Sequence, residues 1–142
     1  MSKKLTATIL INIDAPVSKV WQALVDPALI KQYMFGTNAE SDWKKGSKIK
    51  FKGEWNGKAY EDSGTIVDIV PEKLLYTTYY SPLSGKEDKP ENYANVNYDL
   101  ESAGDQTKLT VSQDNLEDEA AVNHAKQNWD MVLDGLKKLL EN

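Results

Sequence analysis

Cysteine and arginine are absent from this 142-residue sequence, and histidine occurs once. Without cysteine there is no disulfide, no thiol nucleophile and no thiolate metal ligand. A single histidine leaves too few nitrogen donors for a zinc-type site, so no metal is expected. All seventeen basic residues are lysines, and the guanidinium fork that grips phosphate bidentately is missing. With a net charge of -5, that argues against nucleic acid as a partner. No long apolar run opens the chain, since Met1 to Thr8 carries two lysines and then alternates. Neither a signal peptide nor a membrane span is expected, and the cytoplasm is the expected location. A glycine-rich phosphate loop and a nucleophile elbow are lacking too, so no cofactor and no catalytic residue is expected.

What is present is an ordinary soluble composition with a large aromatic complement. Hydrophobic residues make up 40%, including four Trp, seven Tyr and two Phe, enough for one packed core spanning 1–142 as a single domain. Leu5, Ala7, Ile9, Ile11 and Ile13 alternate with Thr6, Thr8, Leu10 and Asn12, the pattern of a half-buried strand. Ala15-Pro16 then starts a short helix carrying Val17, Val20, Trp21 and Leu24, and a second short helix runs from Pro27 to Tyr33. Ile49, Phe51, Gly53 and Trp55 alternate up to Asn56-Gly57, a strong hairpin signal. In the returning arm, Thr65, Val67 and Ile69 compete with Ile66 and Val70 for the inner face, and both choices stand open. Leu74 to Tyr80 reads as a strand, and Ser81 to Glu91 as a polar loop, either a lid or a plain turn. Two further strands carry Val96, Tyr98 and Leu100, then Leu109 and Val111. Glu117, Asp118 and Glu119 occupy the first turn of a last helix whose final turn holds Lys137 and Lys138, as the helix dipole prefers. Val122, Ala125, Trp129, Val132, Leu133, Leu136 and Leu140 form its apolar stripe.

These elements predict an α+β fold: a curved antiparallel sheet of six to seven strands wrapped around a long C-terminal helix, with two short helices after the first strand. A straight helix laid on a twisted sheet separates from it at one end and leaves space between them.

Val20-Trp21-Gln22-Ala23-Leu24 closing on Asp26-Pro27, Gly64 through Pro71, Leu74-Leu75-Tyr76-Thr77, Thr107 to Val111, and the terminal Asn128-Trp129 with Leu133-Asp134-Gly135-Leu136 follow one another along almost the whole chain. In these residues the chain resembles the helix-grip (START-like, SRPBCC) superfamily. Within it, the likeness is to proteins similar to the C-terminal domain of the activator of the ninety-kilodalton heat-shock chaperone ATPase. The resemblance implies a cavity between the last helix and the sheet that holds a small hydrophobic or aromatic molecule. It also admits a chaperone as partner in a stress response, and a few superfamily members are cyclase-like or hydrolase-like enzymes. A monomer or a homodimer fits either reading.

Candidate ligand-binding residues follow from side-chain type and place. Phe35, Trp43, Phe51, Trp55, Tyr76, Tyr98 and Trp129 are aromatics suited to a cavity wall, with core packing as the alternative for each. Leu133 continues the stripe, and Tyr76, Tyr98, His124 and Asn128 would supply hydrogen bonds. His124 has no acid beside it in its helical turn, which favours a boundary residue over a general base.

Overall fold

The computed structural model describes residues 5–34, 36–55, 57–82 and 87–141. Strand β1 (Leu5–Ile13) is followed by helices α1 (Val17–Val25) and α2 (Pro27–Tyr33), then by β2 (Asn38–Ser41), β3 (Lys48–Trp55), β4 (Lys58–Val70), β5 (Leu74–Tyr79), β6 (Ala94–Ala103) and β7 (Gln106–Leu116). Helix α3 (Glu119–Glu141) closes the chain. The strands form one open antiparallel sheet in the order β1-β7-β6-β5-β4-β3-β2. The predicted architecture is the observed one.

Local chemistry sets the helix ends. Asp26 accepts a hydrogen bond from the Ala28 N–H at 2.9 Å with Pro27 in the first turn, so one residue separates α1 from α2. At α3 only Glu119 lies in the first turn. Asp118 instead caps it, its Oδ1 accepting from the Ala121 N–H at 2.8 Å.

The C-terminal half of α3 is fixed to the sheet. Leu133 and Leu136 are 1% and 0% exposed, and the helix packs on β1 and α2. Lys137 Nζ donates to the Asn12 carbonyl, and the Asp14 N–H donates to the Glu141 carboxylate at 2.8 Å. The corner after β1 is tied in turn by the buried Thr107 hydroxyl, which donates to the Ala15 carbonyl at 2.8 Å.

Strand β4 resolves the open question of its inner face in a way neither simple alternation allowed. Ile66 pairs with Thr77 but Asp68 with Tyr76, so Val67 is an extra, bulged residue and the parity of the strand flips there. Ile66 is buried and Ile69 faces the core, while Val67 and Val70 are both exposed. Upstream of the bulge, Gly64 meets β5 so closely that a Cβ would lie 1.8 Å from the Thr78 carbonyl oxygen. The backbone cannot yield to such a contact without leaving the sheet. Replacing Gly64 with Ala is therefore expected to destabilise the protein by about 2–3 kcal/mol, measured as a fall in the urea midpoint with an unchanged m-value.

Candidate functional site

Between α3 and the sheet lies a cavity of about 410 Å³, a size within the ~300–1,000 Å³ of small-molecule sites. Its roof is one face of the N-terminal half of α3: Ala121, His124, Ala125, Asn128, Trp129 and Val132, spaced by three and four as a single helical stripe requires. Ile49 and Phe51 of β3, Tyr60 and Asp62 of β4, and Val96 and Tyr98 of β6 form much of the floor. Leu75, Thr77 and Tyr79 of β5 complete it, and Ile30, Tyr33 and Met34 close the α2 side.

Register explains which strand residues face inward. Across the β3–β4 hairpin, Phe51 pairs with Asp62, Gly53 with Tyr60 and Ile49 with Gly64, and directly paired residues share a face of the sheet. Inward Ile49 and Phe51 therefore bring Asp62 and Tyr60 into the wall. Gly53 leaves room for the Tyr60 ring, since a Cβ there would sit 2.4 Å from the hydroxyl oxygen. Thr37 spends its one proton on the Met34 carbonyl at 2.6 Å, so the Tyr60 hydroxyl donates to Thr37 Oγ1 at 2.7 Å.

Of the predicted residues, Trp43, Phe51, Tyr98, His124, Asn128 and Trp129 line the cavity. His124 and Asn128 are largely exposed and stand at its rim. Two expectations need correction. Tyr76 is not in the wall, because Leu75 and Thr77 on either side of it are the buried residues of β5 and strand alternation turns Tyr76 to the other face. Leu133 is core rather than wall, one turn past Trp129 where α3 already rests on the sheet. Phe35 and the side chain of Trp55 lie outside the described residues, as do positions 83–86 of the loop read as a lid or a turn.

Trp129 is held on two sides. Its indole N–H donates to Gln113 Oε1 at 2.8 Å, and its ring meets that of Tyr98 edge-on at 5.7 Å and 79°, a geometry worth about 0.5–1.5 kcal/mol beyond burial. Trp43 reaches the wall from a left-handed backbone, φ 55°, a conformation that bulky residues rarely adopt. Sequence reasoning missed Tyr33, Tyr60, Asp62, Tyr79 and Gln113. For Tyr60 and Asp62 the signal was available, since the Asn56-Gly57 turn fixes their partners once Phe51 is taken as inward.

Among the described residues four tyrosines line the cavity, and besides Tyr60 the other three hold their hydroxyls in different states. Tyr33 donates to the Ala23 carbonyl at 2.7 Å, and Tyr79 donates to Asp62 Oδ2 at 2.6 Å. The Tyr98 hydroxyl has no hydrogen-bond partner among the described residues. Burial raises the pKa of all three above the ordinary phenol value, with Tyr98 adding to the rise at Tyr33 and the Asp62 charge adding at Tyr79. Among the described residues no three histidine, aspartate or glutamate side chains could together hold a metal ion, and no helix is long and apolar enough to cross a membrane.

Comparison with known proteins places this geometry. Residues 14–141 match the family described as Activator of Hsp90 ATPase homolog 1-like protein. The solution structure of ChR145 from Cytophaga hutchinsonii is 49% identical over 100% of this chain and 97% of its own, with a TM-score of 0.88. The Aha1 dimer from Colwellia psychrerythraea superposes with a TM-score of 0.75 at 21% identity, covering 96% of both chains. CalU16 from Micromonospora echinospora gives 0.74 at 23% identity, over 97% of this chain and 85% of its own. The last two are similar in fold alone. Among curated proteins none matches the chain.

An alkaline titration checks the buried phenols. Their folded-state pKa values lie above the unfolded value of about 10, so their stabilising contribution is complete below that pH and is lost as pH rises through the folded values. Phenolate absorbance should therefore lack the signals of Tyr33, Tyr79 and Tyr98 well past about pH 10 and gain them only on unfolding. Removing Tyr98 as Tyr98→Phe should leave the early part of the curve unchanged.

Proposed function

This chain belongs to the Activator of Hsp90 ATPase homolog 1-like family, and we propose that it binds a small apolar or aromatic molecule between α3 and the sheet. One observation carries the reading. Along the N-terminal half of α3, the stripe residues Ala121, Ala125, Trp129 and Val132 face a cavity of about 410 Å³ instead of the sheet. Apolar walls that face a void lose the dispersion contacts a packed core would supply, and a guest of matching shape restores them. Trp43, Phe51, Tyr98 and Trp129 provide aromatic faces, and His124 and Asn128 provide polar groups at the mouth. In this reading the chain is one START-like unit acting in the cytoplasm.

The first test is native mass spectrometry of protein purified from its host, in which a retained small molecule is the expected result. Ala121→Trp should fill the roof and lower the affinity for that molecule by at least about tenfold, or 1.4 kcal/mol, as measured by calorimetry. Undiminished binding by a folded Ala121→Trp protein would overturn the assignment.

A second reading, an interaction module for a chaperone, rests on the family's name and on the dimeric Aha1 relative. Strand β1 is an edge of the sheet and exposes Leu5 and Leu10, as a surface for a partner or a second copy would. Sedimentation equilibrium and a chaperone ATPase assay decide it, and a monomer that leaves the ATPase rate unchanged would remove this reading.

A further inference from the structure

The amide of Gln113 has one end engaged and the other free. On β7, Gln113 pairs with the buried Ala7 of β1 and the buried Val96 of β6, so its side chain shares their face and stands on the concave side of the sheet. There its Oε1 accepts the Trp129 indole N–H at 2.8 Å. An indole nitrogen only donates, which fixes the oxygen end of the amide toward Trp129 and leaves the Nε2 protons without a partner among the described residues. Tyr98, paired with Val111, is the diagonal inner-face neighbour of Gln113 across β6 and β7, a separation that long and aromatic side chains span. Its ring packs edge-on against the same Trp129, and its hydroxyl is likewise unpartnered. Among the described residues, the buried or half-buried side-chain atoms that are both sealed by protein and unpaired are Asp62 Oδ1 and Asn97 Oδ1. Gln113 Nε2 and the Tyr98 hydroxyl are therefore unpaired yet open, and both residues line the cavity.

Resting on the cavity reading above, we propose that the molecule it takes carries a neutral carbonyl group on an apolar frame, its oxygen accepting from Gln113 Nε2 and from the Tyr98 hydroxyl. A carbonyl oxygen has two lone pairs and no proton, the complement of two neighbouring donors. A hydroxyl or an amine on the same frame would bring a proton that needs an acceptor, and the Asp62 oxygen that lacks a donor is closed off by protein. A carboxylate would bring its charge to a wall whose described residues include Asp62 and no lysine, at the desolvation cost of an unpaired ion. Ketones, quinones and esters are the classes this selects, over alcohols and fatty acids.

Three aromatic probes of one frame test this, titrated into the full chain by calorimetry: 2-acetylnaphthalene, 2-isopropenylnaphthalene, in which a methylene replaces the ketone oxygen, and 2-naphthoate. The ketone should bind about tenfold tighter than its hydrocarbon twin, and 2-naphthoate most weakly. Gln113→Met and Tyr98→Phe, each checked for folding by circular dichroism, should each lower the ketone-to-hydrocarbon affinity ratio about threefold. In the unaltered protein the infrared carbonyl stretch of the bound ketone should fall below its position in hexane, and this band decides should either variant fail to fold. Equal binding of ketone and hydrocarbon, a ratio that survives both folded variants, an unshifted carbonyl band, or 2-naphthoate binding as tightly as the ketone would overturn the carbonyl assignment and leave the cavity reading intact. If none of the three binds the unaltered protein, the cavity reading falls and this inference with it.

Discussion

The grip of the sheet on the last two turns or so of α3 is the contact from which the rest of the molecule follows. Leu133 and Leu136 are buried, and Lys137 and Glu141 reach back to the end of β1. A helix of 23 residues is roughly 35 Å long and straight, while the sheet below it twists. Pinned at one end, the helix must stand off the sheet at the other. The space under Ala121 to Val132 is a consequence of that mismatch. A single sequence stripe therefore serves two purposes, core in its second half and cavity roof in its first.

Strands β3, β4 and β5 decide what the cavity wall is made of. Gly53 and Gly64 are the positions where backbone or ring comes too near for a Cβ, and Val67 is the bulge that changes which β4 residues face inward. Together they put Tyr60 and Asp62 in the wall while keeping Ile66 and Ile69 in the core. The polar content of the wall is arranged in pairs, Tyr60 with Thr37, Tyr79 with Asp62, and Trp129 with Gln113. Each pair satisfies a group that would otherwise oppose burial.

Apart from the short β2, the element order, strand and helix types and the α3 stripe could be read from the chain because they depend on local periodicity and on a few strong signals. The Asp26-Pro27 break and the Asn56-Gly57 turn are of that kind. Trp43, Phe51, Tyr98 and Trp129 could be nominated because large aromatics at loop, strand and stripe positions serve either as core or as cavity wall. Tyr76 was misplaced because its neighbourhood, Leu74-Leu75-Tyr76-Thr77, offers an apolar or aromatic residue on either face and the choice rests with the partner strand. Leu133 and Val132 are adjacent and equally apolar, and only the point where α3 leaves the sheet assigns one to the core and the other to the cavity.

The sequence by itself determined that this is an α+β chain with one long terminal helix, an aromatic interior, no thiol chemistry and no arginine. Tertiary structure alone decided the inner face of β4, the pairing of Tyr79 with Asp62, and the placing of Tyr60 and Asp62 in the wall. The division has a physical cause. Periodicity is a property of neighbours a few residues apart, whereas a bulge, a close backbone approach or an unmatched oxygen exists only relative to residues brought close by the fold.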